Sequence, residues 1–166
     1  MSNLQFRQPV MTDAERCYQI EVSAYEGDEA ATLEKIRTRI SQYPQGFLLL
    51  EEQGGIVGFI NSGCAHAVVM ADEAFKELVG HDPQAANVVI MSVVVDPAHQ
   101  GKGYAKRLMD EFIARTKAQG KQTIHLMCKE QHVELYRKMG YQYVRPSPSD
   151  HGGMAGTKWS WPFRQP

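Results

Sequence analysis

The sequence predicts one α/β (α+β) domain, built on a single mixed, mostly antiparallel sheet of about seven strands with about four helices around it. Three observations predict this class. The chain has 166 residues, 43% hydrophobic and 22% charged, which is the balance of one soluble domain able to bury a core. Helix-spaced and strand-like segments alternate along it, with no internal repeat, low-complexity tract or linker-like run to divide residues 1–166. Finally, "NVVIMSVVV" at 87–95 is apolar on both faces, as a strand in the middle of a sheet must be.

Leu4, Phe6 and Val10 indicate a short first strand. Thr12 or Asp13 is placed to cap a helix whose apolar positions are Cys17, Ile20, Val22 and Ala24. Residues 27–44 read as a second helix with Leu33, Ile36 and Ile40 on one face and Pro44 past its end. "GFLLLEE" and "IVGFINSGCAHAVV", joined by Gln53-Gly54-Gly55, form an antiparallel hairpin. The acidic excursion "MADEAFKELVGHDPQAA" follows, with a helical turn expected around Phe75 and Leu78. Beyond the central strand, Ala105, Leu108, Met109, Phe112 and Ile113 recur at helical spacing and stop near Gly120. "TIHLMC" is a further strand, "HVELYRKMG" a short helix closed by Gly140, "YQYV" a strand, and "GGMAGTKWSW" holds the last one.

Composition removes several function classes. A formal net charge of −1 gives no overall basic field for holding nucleic acid. No apolar run approaches the roughly 20 residues that cross a bilayer, and "MSNLQFRQPV" lacks the apolar core of a signal peptide. Cys17, Cys64 and Cys128 are odd in number and far apart, which fits neither a disulfide framework nor a zinc cluster. A cytoplasmic setting without metal, membrane or nucleic-acid partner is the expectation.

The most informative stretch is "VVVDPAHQGKGYAKRLM" at 93–109, a strand running through two glycines and a lysine into a helix. Glycine lets backbone approach an anion, while free amides and the helix dipole face it. A P-loop requires G-x-x-x-x-G-K-[ST], and Tyr104 after Gly103 breaks that pattern. A dinucleotide fingerprint requires a third glycine where Lys106 stands, and it would open the fold instead of lying late in the chain. The remaining pattern is Q/R-x-x-G-x-G/A, read here through Gln100, Gly101, Lys102, Gly103, Tyr104 and Ala105 behind "VVVDP".

That pattern resembles the acetyl-CoA pyrophosphate loop of the GNAT superfamily of N-acetyltransferases. "IHLMCKEQHVELYRKMGYQYV" supplies the strand, polar helix and strand that follow the loop in that superfamily, so the resemblance covers nearly the whole chain. "DEAFKELVGHDP", "IMSVVVDPAHQGKGYAKRLM" and "HLMCKEQHVELYRKMGY" are most similar to its arylalkylamine (serotonin-type) branch. The resemblance implies the GNAT fold, with a splayed central strand pair, and acetyl-CoA as acyl donor. It implies transfer to a primary amine by direct attack in a ternary complex. The loop backbone at 101–105, with Lys102 or Lys106 adding charge, would hold the pyrophosphate. Val93, Val94 and Val95 would line the pantetheine arm where the central strand parts from its neighbour.

Acyl transfer from a thioester also needs a neutral amine and an acid for the departing thiolate. The resemblance places Tyr136 of "LYRKMGY" in the acid role, since a phenol can donate a proton to sulfur. Vertebrate members of the branch keep two histidines on the central strand, and this chain has Val89 and Met91 there, so that relay is not carried over. Insect members use a glutamate in a "DEP"-like turn, which "GDEAA" matches with Glu29; Glu26, His132 and His151 are weaker candidates. Ser147, Ser149 and His151, between the last strands, are the expected acceptor contacts, with Phe47, Phe59, Met70 and Met91 as an apolar wall. The acidic runs "YEGDEAATLE" and "MADEAFKELVGHD" bias the acceptor toward a cationic small amine. A protein or peptide acceptor and a non-catalytic CoA-binding module are the alternatives. Homodimers are common in the superfamily, so a homodimer is a further expectation of the resemblance.

Overall fold

The computed structural model describes residues 3–24, 30–66, 78, 81–129, 142–146 and 156–162. The strands are β1 (Leu4–Arg7), β2 (Phe47–Glu52), β3 (Gly55–Ala65), β4 (Asn87–Val95), β5 (Thr123–Lys129), β6 (Gln142–Pro146) and β7 (Gly156–Pro162). They form one seven-stranded sheet in the order β1-β2-β3-β4-β5-β7-β6. Among the described residues only the β4–β5 pair is parallel; the other described pairs run antiparallel. Three α-helices are described: α1 (Ala14–Ala24), α2 (Leu33–Gln42) and α3 (Tyr104–Ala118). The fourth expected helix, at 132–140, and the excursion turn around Phe75 lie outside the described residues.

Local chemistry sets the element boundaries. The Asp13 carboxylate accepts the Val10 N–H at 2.7 Å, closing a tight turn that opens into α1. Arg7 of β1 donates to both oxygens of Asp13 at 2.8 and 2.9 Å and to Glu51 of β2 at 2.9 Å, pinning the start of α1 to the sheet edge. The Thr32 hydroxyl accepts the Lys35 N–H, so α2 begins at Leu33, later than the sequence pattern alone indicates. Gln53 and Gly54, both at positive φ, turn β2 into β3 in the manner of a two-residue hairpin loop.

Two cores lie on opposite faces of the sheet. Ala14, Cys17 and Ile20 of α1, with Ile36 and Ile40 of α2, pack on Phe47, Leu49, Phe59 and Val94. Leu108, Met109 and Phe112 of α3 pack on Leu48, Leu50, Ile60, Val88, Ile90, Ile124 and Leu126. The expected apolar stripe of α1 is corrected at its end. Val22 is 44% exposed and Glu21 is buried, because the i, i+3, i+4 spacing from Cys17 leads through Ile20 to Glu21. Phe47 and Phe59, expected in an acceptor wall, are core residues with ring centroids 5.5 Å apart.

Candidate active site

The turn after β4 is built by several independent hydrogen bonds. Asp96 donates its N–H to the Val57 carbonyl at 2.8 Å. Its carboxylate accepts from the Ala98 N–H at 3.1 Å and from Arg16 of α1 at 2.6 Å. The Ala98 N–H, with Arg16 adding to it, holds that carboxyl below the usual carboxylate range. Gln100 Nε2 then reaches back to the Val95 carbonyl at 3.1 Å. Gly101 and Gly103 have φ of 83° and 78°, and a Cβ on either would meet nothing within 4 Å. Conformation, not crowding, therefore requires glycine, and the outer side of the loop is open.

Gly103 leads directly into α3, whose first turn carries no acidic residue. The first backbone N–H groups of this 15-residue helix have no intrahelical partner, and no side chain caps them at Gly103. The loop side chains differ in their commitments. Lys102 is half exposed, 4.0 Å from Glu52 Oε1 and 5.8 Å from the Tyr104 ring centroid. The buried Tyr104 donates its hydroxyl to the Glu52 carboxylate, so its own contribution to the loop is packing and backbone. Lys106 pairs with Asp110 at 2.7 Å along the helix surface, and Ala105 packs partly against the core.

Beside this loop the sheet opens. β4 and β5 pair over only three rungs, from Asn87↔Thr123 to Val89↔His125, although β4 continues to Val95 and β5 to Lys129. On the other edge of β4 the register with β3 jumps between Asn61↔Ser92 and Ser62↔Ile90, leaving Met91 as a bulged residue. The bulge resets the alternation, so Val93 and Val95 face α3 while Val94 is buried beneath α1 and α2. Of the three valines expected along the pantetheine arm, Val94 can therefore contribute only backbone.

A buried polar group that the sequence analysis did not single out backs the bulge. Glu21 of α1, Arg39 of α2, Asn61 of β3 and Ser92 of β4 are each 5% exposed or less. Glu21 accepts the Ala31 N–H at 2.8 Å, tying the entry of α2 to α1. Arg39 donates to Asn61 at 3.3 Å. Burial pushes the Glu21 carboxyl up, opposed by the Ala31 N–H, the Arg39 charge and the Ser92 hydroxyl. The sequence signal available for this cluster is a charge on the apolar stripe of each of two adjacent helices.

Of the expected catalytic and acceptor residues, Tyr136, Glu29, Ser147, Ser149 and His151 lie outside the described residues, as do Glu26, His132 and Met70. The structure brings together the other expected residues: Gln100, Gly101, Lys102, Gly103, Tyr104, Ala105 and Lys106 form one loop and helix start at the end of Val93–Val95. Such a constellation suits an extended ligand with a phosphate group at the helix start and its other end in the gap between β4 and β5.

The sequence model of the Acetyltransferase (GNAT) family matches residues 9–141. The chain belongs to the GNAT acetyltransferase family. Among solved structures, this GNAT chain is similar to the loading GNATL domain of CurA from Lyngbya majuscula, at 18% identity and TM-score 0.86, covering 96% of this chain and 97% of that one. It also resembles yncA, a putative acetyltransferase from Salmonella typhimurium with its cofactor acetyl-CoA, at 20% identity and TM-score 0.71, covering 99% and 96%. At these identities the likeness concerns the fold. Among curated proteins it is 33% identical over 88 residues to "Histone acetyltransferase TAP1" of Glycine max, covering 51% of this chain and 36% of that protein. The chain thus spans about a third of the length of the curated relatives it matches.

Proposed function

We propose that this chain transfers an acetyl group from acetyl-CoA to the primary amine of a small molecule, by direct attack in a ternary complex. The observation that carries the reading is the juxtaposition of an open two-glycine loop at the start of α3 with the parting of β4 and β5. A diphosphate fits the first-turn amides of α3, and an extended arm fits the gap that opens after Val89. Acetyl-CoA would supply the activated thioester. Two GNAT neighbours of similar fold, yncA and paiA from Thermoplasma acidophilum, are described with acetyl-CoA or coenzyme A bound, which supports the choice of donor.

In this reading the loop 101–105 holds the diphosphate, Lys102 exchanges Glu52 for phosphate oxygen, and Tyr136 returns a proton to the leaving thiolate. Ser147, Ser149 and His151 are assigned to the acceptor, and Glu29 to the catalytic pair with Tyr136, as the base that takes the amine's proton. An arylalkylamine is the leading acceptor, on the resemblance of residues 72–83, 90–109 and 125–141. A protein amine is the second reading, because the curated relative TAP1 is named a histone acetyltransferase.

The test is an acceptor panel of arylalkylamines, polyamines and lysine- or N-terminus-bearing peptides, scored by release of free CoA thiol. At least one small amine is expected to turn over well above the peptides. Tyr136→Phe should then lower kcat on the order of 10²-fold with little change in acetyl-CoA affinity. Absence of acetyl-CoA binding overturns the reading; turnover confined to peptides moves it to the protein acceptor.

A further inference from the structure

A carboxylate that the proposed reaction does not use stands beside the glycine loop. Leu48 and Leu50 of β2 lie in the α3-side core, so strand alternation puts Glu52, the last residue of β2, on that same face. Its neighbour Glu51 turns to the opposite face, where Arg7 donates to it at 2.9 Å. One oxygen of Glu52 accepts the hydroxyl of Tyr104, the first residue of α3. The other lies 4.0 Å from Lys102 Nζ, and that nitrogen stands 5.8 Å from the centroid of the Tyr104 ring.

The two contacts differ in permanence. Tyr104 is buried, so its bond fixes the carboxylate in place. The Lys102 side chain is 50% exposed against 19% for Glu52, and an ion pair so open to water is held weakly enough to exchange. The first turn of α3 carries no acid of its own, so Glu52 brings to the helix start the negative charge that the helix dipole favours. An arriving diphosphate seeks the same dipole and the same lysine. Lys106 is held by Asp110 at 2.7 Å. Within residues 100–106, Lys102 is therefore the cation for which carboxylate and diphosphate compete.

We propose that Glu52 is a positioning residue for release of the coenzyme. It holds Lys102 while the loop is empty and gives the lysine an anion to return to when the diphosphate leaves, and it thereby weakens the binding of acetyl-CoA and of coenzyme A alike. The inference rests on the reading above, in which residues 101–105 hold the diphosphate of acetyl-CoA. The two coenzymes share that diphosphate and differ only at the sulfur, so one carboxylate at the loop acts equally on donor and product. A Glu52 that merely braced the loop would act with the opposite sign. Removing its charge would then loosen Lys102 and Tyr104 and weaken the coenzyme, whereas competition for the lysine requires that binding tighten.

The experiment titrates wild type, Glu52→Gln, Lys102→Gln and the double variant calorimetrically with acetyl-CoA and with coenzyme A, at about 0.02 M and about 0.5 M salt. Glutamine keeps an acceptor for the Tyr104 hydroxyl and removes the charge. Glu52→Gln is expected to bind both coenzymes on the order of threefold more tightly at low salt, with most of the gain lost at high salt. The factor should be the same for the two ligands. It should shrink in the Lys102→Gln background, because the competition runs through the lysine. Unchanged or weaker binding by Glu52→Gln overturns the proposal, as does a gain confined to acetyl-CoA or one that persists in full without Lys102. Should Glu52→Gln fail to fold, Glu52→Asp carries the same test: it draws the carboxylate one methylene back from Lys102, tighter binding supports the proposal, and equal or weaker binding overturns it. Wild type that binds no acetyl-CoA removes the donor reading and this one together; wild type that binds it, with no gain in the variants, removes only the role of Glu52.

Discussion

Glu21 shows at single-residue scale how a fold holds a charge where periodicity expects an apolar side chain. It is 1% exposed on the core face of α1, and it survives there because an amide N–H, a guanidinium and a hydroxyl converge on it. Burial still wins and raises its pKa. The consequence for stability has a definite sign. Below the ordinary glutamate pKa of about 4.3 both folded and unfolded chains hold the proton. Above it the unfolded chain ionises first, so the native state loses relative stability as pH rises, until the raised native pKa is passed. Glu21→Gln removes this titration while keeping an acceptor for Ala31. Denaturant unfolding of both proteins should show the stability difference moving in favour of the glutamine variant between pH 5 and pH 8. A difference that is flat, or that moves toward wild type, contradicts the burial argument. Sequence reading placed Ile20 on the right face of α1 and missed Glu21, because the amide it accepts from belongs to Ala31, ten residues on and just ahead of α2.

At the scale of elements, the loop between β4 and α3 was the most legible part of the chain. Glycine at fixed offsets after a β-branched run specifies positive φ and a helix start together, and Gly101 and Gly103 adopt that conformation. The parting of β4 from β5 and the bulge at Met91 were not readable from the residues themselves, since any β-branched strand pairs as well bulged as regular. The side-chain contact of the buried tyrosine at the helix start was equally unreadable, because the carboxylate it meets belongs to β2, some fifty residues earlier. The loop's chemistry yields a graded expectation. A Cβ at position 103 has open space, so Gly103→Ala costs only the left-handed backbone, about 1 kcal/mol. Asparagine tolerates that region better than alanine. Gly103→Asn should therefore retain more acetyl-CoA affinity than Gly103→Ala, with alanine weakened on the order of tenfold if the strain falls on the bound loop. Calorimetric titration of the three proteins checks the order; alanine binding as tightly as glycine would mean that the left-handed turn is not part of the site.

Over the whole molecule, the sheet is a shared wall between two cores, and that makes them one thermodynamic unit. Phe59 and Ile60 are adjacent on β3, both fully buried, one facing α1 and α2 and the other α3. Neither face can lose its helices without exposing a strand that the other still needs. The cysteines report this directly. Cys17 lies in the core of α1 and α2, where burial above all pushes its thiol up to about 12. Cys64 lies in the α3 core, where burial also raises its pKa and the Tyr43 hydroxyl sits 3.1 Å from its sulfur. Alkylation needs an exposed thiolate, so neither should react at pH 8 in the native state. In a Cys128→Ser background, labelling with iodoacetamide through a urea series and reading each peptide by mass spectrometry gives two curves. They are expected to share one midpoint, and to coincide with the loss of helical circular dichroism, as one cooperative transition requires. Labelling of Cys17 at clearly lower urea than Cys64 would show the α1–α2 face opening on its own, as a local unfolding event separable from the α3 side that carries the glycine loop.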